Sequence, residues 1–261
     1  MGGVQYMARV ESILSLHKAV DILLLLQQEG EMGVTEIARS LDMNKSTVHR
    51  ILSTLQNRYL IRQNPETGKY WLGLKLYSLG MSIRENLPIQ SIAAPYLKAL
   101  SDKFQEVSNL SVLDMSSADF PKQLILDKIQ TSRILKLTPS LGSGTYCHCS
   151  GMGKCLLAFS SDEYIAKLTG QPLQQYTSKT IIDWKDLLLE IKNIREKGYA
   201  IDDQEMENGL ICVGSPILNK KQEIIAAISL SGPTSRINES ILPEVIEEVK
   251  RTAKMIAVEM G

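Results

Sequence analysis

The sequence predicts an α+β protein made of two unlike domains, and three observations carry that expectation. Near the start, apolar residues recur at helical spacing through three short segments, and a β-hairpin signal follows them. Beyond about residue 105, strand-like runs and amphipathic helices mix without the strict alternation of a doubly wound sheet. Charge is uneven as well. The chain balances 29 Lys plus Arg against 29 Asp plus Glu, yet residues 44–75 hold Lys45, Arg50, Arg58, Arg62, Lys69 and Lys75 against Glu66 alone, a local net of about +5. The compensating acids gather in 183–207 and 239–259.

The first helix is expected over His17 to Glu29, where Val20, Leu23 and Leu24 recur at helical spacing beside Ala19, Ile22 and Leu26, with Gly30 ending it. Thr35 can cap a short second helix whose buried side is Ile37, Ala38 and Leu41. Asp42-Met43 then makes a turn of the kind that often needs a positive φ, and Asn44 can cap a third helix with Val48, Ile51, Leu52 and Leu55 as its apolar stripe. Leu60-Ile61-Arg62 and Lys69-Tyr70-Trp71-Leu72 flank the turn formers Asn64-Pro65-Glu66-Thr67-Gly68 and read as a hairpin. Three helices and a hairpin make a winged helix-turn-helix over residues 10–73.

Leu74, Leu76, Leu79, Met81 and Ile83 predict a connecting helix within a linker at 74–88, interrupted by Pro88. The second domain, 89–261, opens with a helix at 89–105. Strands are expected at 109–115, 122–129 and 134–138, then a Gly- and Ser-rich loop at 142–153 and an apolar helix start at 154–159. Helices at 162–169 and 184–197, strands at 199–202, 211–218 and 224–231, and a closing amphipathic helix at 241–260 complete it.

Several classes are excluded. No run approaches the roughly 18 apolar residues of a membrane helix, so no membrane partner is expected. The start MGGVQYMARV lacks an apolar signal core, and Tyr6 stands where a myristoylation motif wants Ser or Thr. Four clustered cysteines, Cys147, Cys149, Cys155 and Cys212, make no disulfide framework in a chain this long and suit a reducing cytoplasm.

In a helix-turn-helix the N-terminal residues of the second helix meet base edges in the major groove of double-stranded DNA. Lys45, Ser46, Thr47, His49 and Arg50 occupy that place. Hydroxyls serve phosphate or base contacts, Arg50 can bond guanine bidentately, and the helix N-terminus is itself an anion site. Arg62 and Lys69 can hold adjacent phosphates, and with Thr35 they complete the DNA-facing set. A module for protein contact, or a solvated charged face, would use similar residues.

In the second domain, Ser150-Gly151-Met152-Gly153 precedes an apolar helix. Glycines let backbone amides approach a ligand, and a helix N-terminus favours an anion, so a small carboxylate fits; a tight strand-to-helix turn uses the same glycines. A P-loop is absent, because His148 stands where its first Gly belongs and Cys155 where Ser or Thr would bind magnesium. Ser229 and Ser231, two apart, share one face of a strand. Cys147, His148 and Cys149 leave open a metal- or thiol-based sensor or an enzyme. Their spacing does not wrap a tetrahedral ion, however, and sequence neighbours seldom meet as nucleophile and base. No metal, cofactor or catalytic residue is therefore expected.

Thr35-Glu36-Ile37-Ala38-Arg39-Ser40-Leu41, Asn44 through Leu52, and Lys69-Tyr70-Trp71-Leu72-Gly73 together resemble the DNA-binding half of IclR-family transcriptional regulators. His148 through Lys154, then Gly209-Leu210-Ile211-Cys212 and Ala226 through Pro233, resemble that family's two effector-domain signatures. The resemblance implies a GAF-like α/β second domain with a largely antiparallel sheet and a small organic acid as effector. Carried over by residue, the effector pocket would use the Gly151-Met152 backbone, Asp202, Cys212, Ser229 and Ser231, with Leu137 and Leu141 as apolar wall. Met152 departs from the smaller residues common there. A homodimer or dimer of dimers is expected, because one recognition helix reads too few base pairs, with the connecting helix and the apolar face of helix one as its surface.

Overall fold

The computed structural model describes residues 13–114, 120–131 and 140–261, which fall into two compact units parting between Asn86 and Leu87. In the first, α1 (Leu14–Glu29), α2 (Val34–Ser40) and α3 (Lys45–Asn57) precede the hairpin β1 (Ile61–Gln63) and β2 (Tyr70–Leu72), and α4 (Leu74–Glu85) follows it. Ile22, Leu26, Ile37, Val48, Leu52, Ile61 and Tyr70 form the core. The buried stripe of α1 is narrower than its composition suggests, because Ile22 and Leu26 alone are fully covered while Val20 and Leu24 remain exposed.

The caps differ from expectation in an instructive way. Gly33, not Thr35, occupies the N-cap of α2, and its backbone N–H donates to the Glu36 carboxylate at 2.7 Å. Glu36 reaches back across the first turn, so Thr35 sits one residue inside the helix and is exposed. Asp42 does take a positive φ, 48°, ending α2 in a Schellman turn in which the Met43 N–H donates to the Ala38 carbonyl at 2.8 Å. Asn44 holds the N-cap position of α3, but its side chain makes no capping bond. In the hairpin Arg62 pairs with Trp71, and the Asn64 side chain accepts from the Glu66 N–H at 2.9 Å to shape the turn.

The second unit begins with α5 (Pro88–Phe104), followed by β3 (Val107–Asp114) and β4 (Lys122–Ile129). A short strand β5 (Gly144–Tyr146) leads through a single 3-10 turn, Cys147–Cys149, into α6 (Gly151–Ala158) and α7 (Asp162–Leu168). Then come α8 (Trp184–Lys197), β6 (Ala200–Asp203), β7 (Leu210–Leu218), β8 (Ile224–Pro233) and α9 (Leu242–Met260). The strands form one antiparallel sheet in the order β5-β4-β3-β8-β7-β6. Leu110, Val213, Ile228 and Leu230 cover one face against α5 and α9. Ile125 and Ala227 belong to the other face, with Leu156 and Leu157 of α6 and Leu187 of α8. Two-residue alternation along β8 therefore sends Ile228 and Leu230 to one layer and Ala227, Ser229 and Ser231 to the other.

The stretch expected as a loop at 142–153 contains β5 and the start of α6, which begins at Gly151 rather than Lys154. Ser150 caps it, its hydroxyl accepting from the Gly153 N–H at 3.0 Å. The strand expected at 134–138, including Leu137, lies outside the described residues.

Candidate functional site

Two places gather the predicted residues, one in each unit. On α3, Lys45, Ser46, His49 and Arg50 are exposed and Thr47 is half-buried, while Val48, Leu52 and Leu55 on the opposite side anchor the helix in the core. The unused Asn44 side chain leaves the Lys45 and Ser46 amides of α3 open, while the Thr47 N–H donates to the Asn44 carbonyl at 3.0 Å, and with the Lys45 ammonium those two amides make an anion-accepting end. Arg62 lies over the Trp71 ring at 5.2 Å, so its guanidinium is held on the wing. Lys69 is engaged by Glu36 at 3.2 Å, so its ammonium is shared between that carboxylate and any phosphate it holds.

In the second unit a cavity of about 340 Å³ lies at the N-terminal end of α6. Gly151, Met152, Asp202, Cys212, Ser229 and Ser231 all line it. Their convergence follows from register: Asp202 lies opposite Cys212 across β6 and β7, and Cys212 opposite Ser231 across β7 and β8. Asn109 on β3 lies opposite Ser229, so a polar row crosses four strands beneath the helix end. The approach of α6 to β7 is backbone to backbone, since a Cβ on Gly214 would lie 2.5 Å from the Gly151 carbonyl carbon and 2.7 Å from the Met152 nitrogen. Leu141 does not fit the expected role. It stands in the turn before Gly142, is 60% exposed, and does not line the cavity.

Asp202 is 1% exposed. Its carboxylate accepts the Glu205 N–H at 2.8 Å and the Met206 N–H at 3.3 Å, which fixes the loop that covers one side of the cavity. Burial raises its pKa to about 6, opposed by those two N–H groups and by the positive charge of Lys154. Lys154 is itself fully buried; it donates to the Ile201 carbonyl at 2.7 Å and pairs with Glu205, tying α6 to the loop after β6. Burial raises the Glu205 pKa despite that pairing.

Cys147, Cys149 and Cys155 are buried. Burial pushes the Cys149 thiol up to about 12 and raises Cys147 and Cys155 as well, so none is a poised thiolate. His148 bonds the Gln174 carbonyl at 2.9 Å, and burial lowers its pKa. Among the described residues, no three His, Cys, Asp or Glu side chains form a group that could hold a metal ion. Likewise, no helix among them is long and apolar enough to cross a membrane.

Sequence reasoning missed Asn109, Gln123 and Thr145, which also line the cavity. The available signal was Asn109 itself, a residue type that strands disfavour, placed two residues before Ser111 and so on the same face of the strand.

An exposed basic helix face on one unit and a ligand-sized cavity lined by buried polar side chains in the other define the class of protein: a DNA-binding regulator with a separate sensing domain. The family follows from sequence comparison. Residues 81–258 match the family described as "Bacterial transcriptional regulator IclR C-terminal", and residues 15–65 match the IclR helix-turn-helix domain. The transcriptional repressor IclR of Escherichia coli K12 is 31% identical over 238 residues, covering 91% of this chain and 86% of that protein. The chain belongs to the IclR family of transcriptional regulators. Its fold is also that of an IclR regulator from Alicyclobacillus acidocaldarius, with a TM-score of 0.82 at 22% identity over 96% of this chain and 100% of that one. An IclR homologue from Microbacterium hydrocarbonoxydans, solved in complex with 4-hydroxybenzoate, aligns with a TM-score of 0.81 at 21% identity over 94% and 98%.

Proposed function

We propose that the chain binds operator DNA through α3 and the hairpin, and that a small organic acid seated at the α6 end changes its operator affinity or its action at the promoter. The observation that carries this reading is the α3 N-terminus, where Lys45, Ser46, His49 and Arg50 are exposed beside uncapped amides while the opposite side is fixed in the core. Arg50 reads a base, and Lys45, Thr47, Arg62 and Lys69 hold backbone phosphates, joined by Thr35, which is exposed in the first turn of α2. The effector's carboxylate meets the Gly151 and Met152 amides, and Asp202, Cys212, Ser229 and Ser231 supply the polar contacts around it. The 4-hydroxybenzoate bound by the Microbacterium homologue supports an acid of this size. We assign no catalysis, since the buried thiols offer no nucleophile.

A palindromic operator requires two reading helices, so the working form is a homodimer or a dimer of dimers in the bacterial cytoplasm, where that DNA lies. Exposed Leu14, Leu16, Val20 and Leu24 on α1, and Leu74, Tyr77, Leu79 and Ile83 on α4, supply the apolar surface for it. Footprinting on the intergenic region upstream of the chain's own gene tests the assignment. Arg50→Ala is expected to lose the protected footprint while keeping non-specific, salt-sensitive binding. An unchanged footprint would remove α3 as the recognition helix.

A further inference from the structure

A helix N-terminus accounts for a carboxylate in the cavity, but it does not account for Asn109. That residue is 2% exposed and lines the cavity from β3, beyond the Asp202-Cys212-Ser231 row. Its Nδ2 donates to Ser229 Oγ at 3.2 Å and to Ser231 Oγ at 3.5 Å, while its Oδ1 has no partner. A buried amide oxygen with nothing to accept is costly, and an apolar residue would pack on this strand without that cost. The unmet group therefore points to something that enters the cavity.

We propose that Asn109 is a ligand-selecting residue, and that the effector is a monocarboxylic acid bearing a hydroxyl at the end remote from its carboxylate. This rests on the cavity being the effector site. The carboxylate takes the α6 amides, and the hydroxyl takes the open end of the Asn109 amide. A hydroxyl suits that end in either orientation of the amide, because it both donates and accepts. With Oδ1 toward the cavity the ligand hydroxyl donates to it. With the amide turned over, the two serines donate to Oδ1 and the ligand oxygen accepts from Nδ2.

A second carboxylate fits much less well. It could only accept, and it would share the cavity with Asp202 and Glu207, while no Lys or Arg stands among the described lining residues. An unsubstituted acid would leave the buried Asn109 amide unpaired, the kind of loss that makes polar pockets reject analogues lacking the matching group. A cavity of about 340 Å³ is at the small end for ligand sites, which favours an acid of few carbons or a single ring.

The test uses the full chain and isothermal titration calorimetry with two matched sets: benzoate, 4-hydroxybenzoate and benzene-1,4-dicarboxylate, and butanoate, 4-hydroxybutanoate and succinate. In whichever set binds, the hydroxy acid is expected to bind at least about tenfold tighter than its parent, and the diacid weaker than the hydroxy acid. Asn109→Ala is expected to reduce that preference to less than about threefold while leaving the parent acid's affinity within about threefold. The comparison in the unaltered protein decides the matter even if the variant does not fold. Equal binding of parent and hydroxy acid, or tightest binding of the diacid, overturns the proposal and leaves the cavity as effector site. A preference that survives Asn109→Ala, or loss of the parent acid along with the hydroxy acid in a folded variant, overturns the selecting role of Asn109. Absence of binding by all six acids overturns both the proposal and the effector reading of the cavity.

Discussion

Asp202 sets the pH response of the sensing unit. In the unfolded chain its carboxyl titrates near 3.8, and in the folded cavity near 6, because burial outweighs the N–H groups of Glu205 and Met206. Between those values the folded state holds a proton that the unfolded chain has released. The group's contribution is therefore full below about pH 4 and is lost as pH rises through about 6, a change on the order of 2 to 3 kcal/mol. Burial raises Glu205 in the same direction. Thermal melts of ligand-free protein from about pH 4.5 to about pH 7.5, the range over which this group changes charge, should show the wild-type Tm falling relative to that of Asp202→Asn as pH rises. A constant difference would mean that Asp202 titrates normally. Ser229 and Ser231 were legible in the sequence because a strand's period of two is local. Asn109 was not, since only the pairing of β3 with β8 brings it to Ser229, and pairing is not written in either strand's own periodicity. Lys154 was legible only as the end of the His148–Lys154 signature, and its buried pairing was not, because its partners Ile201 and Glu205 come from a distant part of the chain.

At the scale of elements, the seat of α6 on β7 decides whether the cavity exists at all. Gly151 and Gly214 allow helix and strand backbones to touch, and a methyl group on Gly214 would collide with backbone atoms of Gly151 and Met152 that have no flexible end to yield. Gly214→Ala is expected to destabilise the second unit by about 1 to 3 kcal/mol and to shift the first turn of α6, weakening acid binding. Chemical denaturation and calorimetry on the same sample check both effects, and unchanged stability with unchanged affinity would show that α6 and β7 leave room for a methyl group. Long elements with strong periodicity were legible residue for residue: β4 spans Lys122–Ile129 and α8 spans Trp184–Lys197, as expected from sequence. The start of α6 was not, because glycines are poor helix formers and tertiary contact with β7 overrides that preference. β5, only three residues long, is too short for any alternation to register.

For the molecule as a whole, charge and burial divide the labour: the basic surplus lies on the unit ending at Asn86, and the buried carboxylates lie in the unit beginning at Leu87. The uneven charge was readable from composition, and the helix that closes the first unit from the spacing of Leu74, Leu76, Leu79, Met81 and Ile83. Its exposure was not. α4 has 12 residues and none of them is buried, with Leu74 79% and Ile83 63% exposed. An isolated helix of that length is marginal in water, so α4 borrows its order from whatever covers it, and in the proposed assembly that is a second copy. Diluting the protein should then loosen this helix before either unit unfolds. Amide hydrogen exchange read across a dilution series should show protection of 74–85 falling while that of β7 and β8 holds, and constant protection would mean that α4 stands unaided. In that assembly, the number of copies in the cell would govern how much of the regulator carries an ordered α4, and a scarce regulator would lose its paired reading heads while each cavity stayed whole.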